Sequence, residues 1–126
     1  MLQKITIMGF LGKDPELRFT ASGDAVCSFS VATSKKYTDK NGQKVENTTW
    51  FRVSAWGKQA ELANQYLKKG SGIYIEGELV SDPSTGGPKI FNRQDGTPGA
   101  SFEIKMHNMT FLPNKGGEKQ VEDGEL

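Results

Sequence analysis

Hydrophobic and polar residues alternate along several short segments of the chain, with the period of two that a β-strand imposes. The alternation predicts five strands, at about 3–12, 25–34, 48–56, 71–80 and 101–112. Between the third and fourth strands, over about 57–69, the period becomes that of a helix, with Gly70 as its C-cap and Lys68 and Lys69 in its last turn. The pattern therefore predicts an all-β chain with one helix between strands 3 and 4.

Details of the alternation predict which side chains face the core. In the fourth strand Ile73, Ile75, Gly77 and Leu79 share one face, which we expect to point inward. In the last strand the parity shifts near His107, as a β-bulge would cause.

Two long polar connections separate these strands. Residues 35–47 contain Asn41-Gly42, which is typical of a hairpin turn, and residues 81–100 are rich in Pro, Gly, Ser and Asp. Three strands, a helix and two strands are the order of an OB-fold, a five-stranded Greek-key barrel whose faces and loops bind oligonucleotides or oligosaccharides. We expect residues 1–112 to form this barrel, with the two connections as its binding loops, and 113–126 to be a short acidic disordered tail.

The third predicted strand carries the chain's two tryptophans. Trp50, Arg52 and Trp56 fall on one face, whereas Phe51 and Val53 fall on the other, which is apolar and suits a core. Aromatic rings beside a cation on an outer face suit a flat anionic ligand, and bases on a phosphate backbone have both properties. The alternative is that the tryptophans are buried at a subunit interface.

Charge supports this interpretation only through its placement. The 126 residues carry a net charge of +1, which is weak for a nucleic-acid-binding protein, although acidic residues concentrate after residue 112. Taken singly, each basic cluster could be ordinary solvated surface. As a set, the residues predicted to contact phosphates are Lys35, Lys36, Arg52, Lys58, Lys68, Lys69, Lys89 and Arg93.

Other classes of function find little support. A single histidine, His107, and a single cysteine, Cys27, provide no zinc ligand set, no disulfide and no catalytic constellation, so we predict neither an enzyme nor a cofactor. No apolar run has the length of a membrane span and no signal peptide begins the chain, so we expect a cytoplasmic, nucleoid-associated protein. An OB-fold module that binds RNA, a sugar or a protein remains an alternative.

Three motifs in order resemble the bacterial single-stranded DNA-binding protein family. Residues 12–18 (Gly-Lys-Asp-Pro-Glu-Leu-Arg) resemble its Gly-x-Asp-Pro-Glu motif, and residues 49–61 resemble its central block. Residues 69–77, ending Tyr-Ile-Glu-Gly, resemble its strand-four block. The resemblance covers roughly 3–112 and implies an OB-fold homotetramer. It also implies sequence-independent coating of single-stranded DNA in replication, recombination and repair.

The resemblance also implies which aromatic residues stack on bases. Tyr37, Trp50 and Trp56 occupy the positions of three family stacking residues. For the fourth position Phe91 is the candidate, while an ungapped alignment gives Ser84.

The end of the chain departs from the family pattern. Family members usually carry a long Gly/Pro-rich tail whose acidic tip closes with Pro-Phe and recruits replication and repair proteins. This chain ends Glu-Asp-Gly-Glu-Leu at 122–126, without Pro-Phe, which puts recruitment through the tip in doubt. A divergent, accessory or phage-type member would look the same.

Overall fold

Strands form most of the structure, a computed structural model that describes residues 1–113. Within those residues, eight strands and one helix follow one another. In order, the elements are β1 (Ile5–Leu11), β2 (Glu16–Phe19), β3 (Ala25–Thr38), β4 (Lys44–Trp56), α1 (Lys58–Tyr66), β5 (Gly72–Leu79), β6 (Ile90–Asn92), β7 (Pro98–Ala100) and β8 (Phe102–Phe111). The five predicted strands correspond to β1, β3, β4, β5 and β8, and β2, β6 and β7 are additional. Because β2 is an additional strand, the helix follows the fourth observed strand, β4. It still lies between the two strands that were predicted to flank it, β4 and β5.

The sheet closes into a barrel. Its strand order is β1-β5-β8-β4-β3-β2, and a further pairing of β1 with β3 joins Phe10 to Ala32 and Leu11 to Val31. The barrel therefore consists of β1, β5, β8, β4 and β3. Only β4 and β8 run parallel; the other pairs are antiparallel. β2 extends the sheet beyond β3, and β6 and β7 form a small separate hairpin.

The core lies inside this barrel. Side chains that alternate inward from four of its strands are completely or almost completely buried, among them Val31, Val53, Ile73, Ile75 and Ile104. Helix α1 adds Ala60 and Ala63, and Leu67 follows it into the core. The face of β4 opposite the tryptophans is thus core, as its alternation predicts.

Two glycines allow the strands to cross closely. A Cβ atom built at Gly9 would lie 2.1 Å from the carbonyl oxygen of Ala32, and one at Gly77 would lie 2.2 Å from that of Lys105. Any side chain there would push two strands apart, because the obstructing atoms are backbone. The predicted bulge is present: Gly77 pairs with Met106 and Glu76 with Asn108, so His107 is the extra residue.

The helix is shorter than predicted. It ends at Tyr66, and Leu67 has an extended backbone, so Lys68 and Lys69 are not in its last turn. The N–H of Lys69 donates to Asp14 Oδ1 and the N–H of Gly70 donates to the Leu11 carbonyl, both at 2.9 Å. These bonds tie the segment to the end of β1 and to the β1–β2 connection. Gly70 is the positive-φ residue of that turn rather than a helix C-cap.

Residues 35–47 are not a loop, contrary to the prediction. β3 and β4 pair without interruption from Val26–Trp56 to Thr38–Lys44, forming a two-stranded ribbon that extends beyond the barrel. Only residues 39–43 form the turn, in which Asp39 Oδ1 accepts hydrogen bonds from the N–H groups of Asn41 and Gln43. Polar residues suit a ribbon that has solvent on both faces.

The prediction for Leu79 was also wrong. This side chain is 45% exposed, although it shares the parity of buried Ile73 and Ile75. Leu79 is the last residue of β5, and the strand's burial ends before it. In residues 1–113 no helix is long and apolar enough to cross a membrane.

Candidate nucleic-acid interface

The outer face of β4 presents both tryptophans to solvent. Trp50 is 52% exposed and Trp56 is 44% exposed, and Arg52 stands between them on the same face. Residues directly opposite on the neighbouring strand share a face. Opposite Trp50, Arg52 and Trp56 on β3 are the smaller Ala32, Ser30 and Val26. The two tryptophan rings therefore project beyond the smaller β3 side chains beside them.

A cavity of about 370 Å³ lies beside Trp50. Its lining brings together Trp50 from β4 and Phe91 from β6. Arg52 also lines it, from β4, the strand that lies between β3 and β8 in the sheet. The remaining lining residues are Ser30, Phe51, Ser101 and Glu103. The structure thus places Phe91, and not Ser84, beside one of the predicted stacking tryptophans.

A second cavity of about 320 Å³ lies beside Trp56. Four cations line it together with one carboxylate: Arg18, Arg52, Lys89, Lys105 and Glu103. Arg52 and Glu103 line both cavities, so the two lie side by side, and together we call them the groove. The six-residue spacing from Trp50 to Trp56 corresponds to about 20 Å along an extended strand.

Sequence reasoning missed three charged residues of the groove. Arg18 pairs with Val26, which in turn pairs with Trp56, so the three form a row across β2, β3 and β4. Lys105 and Glu103 project from β8 towards the same face. The alternation of Leu17 and Arg18 is too short to predict a strand. The parallel pairing of β8 with β4 is a tertiary relationship that no local pattern contains.

Lys89 and Ser84 belong to the connection after β5. Asp82 accepts hydrogen bonds from the N–H and hydroxyl of Ser84, at 2.9 and 2.8 Å, which hold the Asp82 pKa below its usual value. The charge of Lys89 contributes less to the same shift. Ser84 therefore acts as a turn residue, while Lys89 reaches the groove.

Arg93 is engaged within its own hairpin. Its Nη1 donates to Thr97 Oγ1 at 3.4 Å and to the Pro98 carbonyl. These bonds close the connection between β6 and β7, the hairpin that carries Phe91. The guanidinium belongs to the same hairpin as Phe91, which lines the groove, but Arg93 itself lines neither cavity.

Tyr37, Lys35 and Lys36 lie on the ribbon, outside the groove. Tyr37 pairs with Val45, five residues beyond the Ala32–Trp50 pair in an unbroken register. This separation corresponds to about 17 Å, and the odd spacing places Tyr37 on the face opposite Trp50. Tyr37 is exposed, so its ring is accessible from that other side.

The other predicted phosphate contacts are dispersed. Lys58 opens α1, and Lys68 and Lys69 follow it in the turn bonded to the β1–β2 connection. All three are exposed and none lines the groove. Within residues 1–113 the ion pairs involve Lys4 with Glu76 and His107 with Glu78, so none of the predicted phosphate contacts is neutralised by a salt bridge there. The same part of the chain holds no cluster of three or more potential metal ligands.

Comparison with known proteins agrees with this geometry. The model of the single-strand binding protein family matches residues 2–112. A single-stranded DNA-binding protein of Neisseria meningitidis is 41% identical over 123 residues, covering 98% of this chain and 65% of its own length. Single-stranded DNA-binding protein 1 of Chlorobaculum tepidum is 48% identical over 92 residues, covering 70% of this chain and 57% of its own. The chain thus spans about two thirds or less of these relatives.

Solved structures show the same fold. A Plasmodium falciparum SSB complex with ssDNA superposes with a TM-score of 0.74 at 26% identity, covering 90% of this chain and 96% of that one. A deletion mutant of the single-stranded DNA binding protein from Thermus aquaticus gives a TM-score of 0.70 at 25% identity, over 91% of this chain and 52% of that one. The barrel is therefore an OB-fold, and the chain belongs to the single-strand binding protein family.

Proposed function

We propose that this protein binds single-stranded DNA without sequence preference, with bases stacked on Trp50, Trp56 and Phe91. The observation that carries the proposal is the groove, which combines aromatic rings from two elements with Arg18, Arg52, Lys89 and Lys105. Family membership supports it independently. The family is one of DNA-binding proteins rather than enzymes.

Aromatic stacking explains the lack of sequence preference. Every base has a π-face, and stacking on an aromatic side chain is worth about 1–3 kcal/mol per base. Trp50 and Phe91 line one part of the groove and Trp56 the other. A single strand lying along β4 would therefore meet aromatic rings at both ends of the groove.

Arg52 is the central phosphate contact of the proposal. It lines both parts of the groove and stands between the two tryptophans. Lys89, Arg18 and Lys105 surround the Trp56 end. Each cation that neutralises a phosphate of a bound DNA backbone would make binding depend on salt.

Residues outside the groove would bind DNA that continues beyond it. On the ribbon, Lys36 continues the Trp50 face, whereas Lys35 and Tyr37 supply a cation and an aromatic ring on the opposite face, which DNA reaches by passing over the ribbon edge. Arg93 would act beside Phe91, and Lys58, Lys68 and Lys69 would add contacts along the helix side of the barrel. These residues have the role of extending the binding site rather than forming its centre.

The groove favours nucleic acid over a sugar. A neutral sugar would use the aromatic rings, but it would leave four cations without a function. RNA has the same stacking surfaces and phosphates, so competition between DNA and RNA separates the two nucleic acids.

The cellular part of the proposal follows from the ligand and the family. We propose a homotetramer that covers single-stranded DNA in replication, recombination and repair, at the nucleoid of a bacterial cytoplasm. Light scattering coupled to size-exclusion chromatography tests the assembly, and a mass of one chain would overturn it. The acidic tip at 122–126 lies outside the described residues, and recruitment of partners through it is not part of the proposal.

Intrinsic tryptophan fluorescence during titration with oligo-dT tests the proposed function. Both tryptophans lie on the proposed binding face, so we expect strong quenching that persists with duplex DNA as competitor. Equal displacement by single-stranded RNA would change the assignment to general single-strand binding. Absence of quenching in a folded protein would contradict the proposal.

A further inference from the structure

The two aromatic rings that share a cavity each lie directly on a glycine. A Cβ atom built at Gly12 would lie 2.6 Å from Cζ3 and 2.7 Å from Cη2 of Trp50. A Cβ atom built at Gly99 would lie 2.9 Å from Cε1 of Phe91 and 2.8 Å from Cζ of Arg93. In both places the ring occupies the space that a side chain would need.

We infer that Gly12 and Gly99 are positioning residues, which hold the rings of Trp50 and Phe91 against the backbone and leave their outer faces open to bases. This inference rests on the proposed function.

Backbone conformation does not account for these glycines. The positive-φ glycines of the described residues are at positions 23, 42, 57, 70, 86 and 96, so Gly12 and Gly99 have conformations open to alanine. The atoms in the way are the far ends of side chains. An added methyl group would therefore move the ring and not the fold, unlike at Gly9 and Gly77, where backbone is in the way.

Each glycine is itself held in place. The N–H of Gly12 donates to the carbonyl of Ser30 at 3.1 Å. This bond fixes Gly12 next to β3, where Ser30 lines the groove. Gly99 is the cross-strand partner of Phe91 in the β6–β7 hairpin. A ring that lies on a fixed backbone is ordered before DNA arrives, so binding loses less side-chain entropy.

Gly12→Ala tests the inference, with Gly87→Ala as the matched control. Gly87 also lacks a positive φ, and its nearest atom to a built Cβ is Thr85 Oγ1 at 3.7 Å. We expect Gly12→Ala to weaken oligo-dT binding about three- to tenfold, a part of the stacking contribution. Gly87→Ala is expected to bind like the parent protein, and both are expected to melt at the parent temperature. At the second ring Gly99→Ala is compared in Phe91→Ala and Arg93→Gln backgrounds, because a Cβ at Gly99 would meet both side chains.

A double-mutant cycle shows whether the effect passes through the ring. If Gly12 acts on Trp50, then Gly12→Ala has no further effect in a Trp50→Ala background. An equal loss in both backgrounds, or no loss when Trp50→Ala itself weakens binding, would overturn the inference and leave the proposed function intact.

A measurement without DNA separates the two claims. In a Trp56→Phe background Trp50 is the sole tryptophan and can be excited selectively over the tyrosines. We expect Gly12→Ala to increase its quenching by acrylamide, because the lifted ring is more accessible. Unchanged quenching and emission maximum would overturn the inference. Changed quenching together with normal DNA binding by Trp50→Ala would show that the glycine positions the ring but that the proposed stacking role of Trp50 is wrong.

Discussion

Arg52 on β4 and Glu103 on β8 lie directly opposite each other across the parallel pairing, and both line both parts of the groove. They do not form a salt bridge within 4.0 Å; Glu103 Oε2 instead accepts a hydrogen bond from Ser101 Oγ at 3.2 Å. A bound phosphate is attracted to the guanidinium and repelled by the carboxylate. The backbone of a bound strand should therefore follow the Arg52 side of the groove.

Glu103→Gln should strengthen binding. Glutamine keeps the size of the side chain and an acceptor for Ser101 while removing the charge that repels phosphate. We expect about two- to fivefold tighter binding of oligo-dT at low salt, with the difference shrinking as salt screens the charge. Fluorescence titrations at two salt concentrations measure it. Weaker binding would mean that the carboxylate contacts the DNA favourably.

Arg52→Gln should lower the salt dependence of binding. If Arg52 neutralises one phosphate, the negative slope of log affinity against log salt becomes less steep by about 0.7 in the variant. Lys4→Gln is the control, because Lys4 pairs with Glu76 at 3.4 Å and does not line the groove. Equal slopes for Arg52→Gln and the parent protein would exclude the phosphate contact.

Tyr37→Ala should affect long oligonucleotides more than short ones. Tyr37 lies on the far part of the ribbon, so a strand near the lower limit of OB-fold sites, about 4 nucleotides, fills the groove without reaching it. We expect normal affinity for such an oligonucleotide and reduced affinity for one several times longer. A loss of the same size at both lengths would place Tyr37 in the central site.

Gly9→Ala and Gly77→Ala should destabilise the barrel. At each position a Cβ would lie within 2.2 Å of a backbone carbonyl oxygen, so two strands must separate. We expect a loss of about 3 kcal/mol in the free energy of unfolding, near the upper end for overpacking. Urea denaturation measures it, and Gly87→Ala should stay within about 0.5 kcal/mol of the parent. Near-parent stability of either variant would refute the close strand crossing.

Alternation in the sequence predicted the elements that have one buried face. Val53 and the two tryptophans fall on opposite faces of β4 as expected, since a strand with core on one side must alternate. The outer half of the β3–β4 ribbon has no buried face, so its polar residues resemble a loop. The three-residue strands β6 and β7 are too short to show a period.

The site was predictable in part. Trp50, Arg52 and Trp56 share one strand, and their common face follows from spacing alone. Phe91 reaches Trp50 only through the fold of the connection after β5, and Glu103 reaches Arg52 only through the parallel pairing of β4 with β8. Such contacts between distant segments leave no local pattern. The end of α1 was missed because the residues after it bond to Asp14 and Leu11, which are distant in sequence.

The central claim is that bases stack on the exposed face of β4, and comparing alanine variants on one oligonucleotide tests it most directly. Trp50→Ala and Trp56→Ala should each weaken oligo-dT binding by about 1–3 kcal/mol. Tyr66→Ala is the control: its ring is 58% exposed but packs with Phe111, away from the groove. Loss of affinity in both tryptophan variants, with parent-like binding by the control, is the result we predict. Parent-like binding by both folded tryptophan variants would contradict the account.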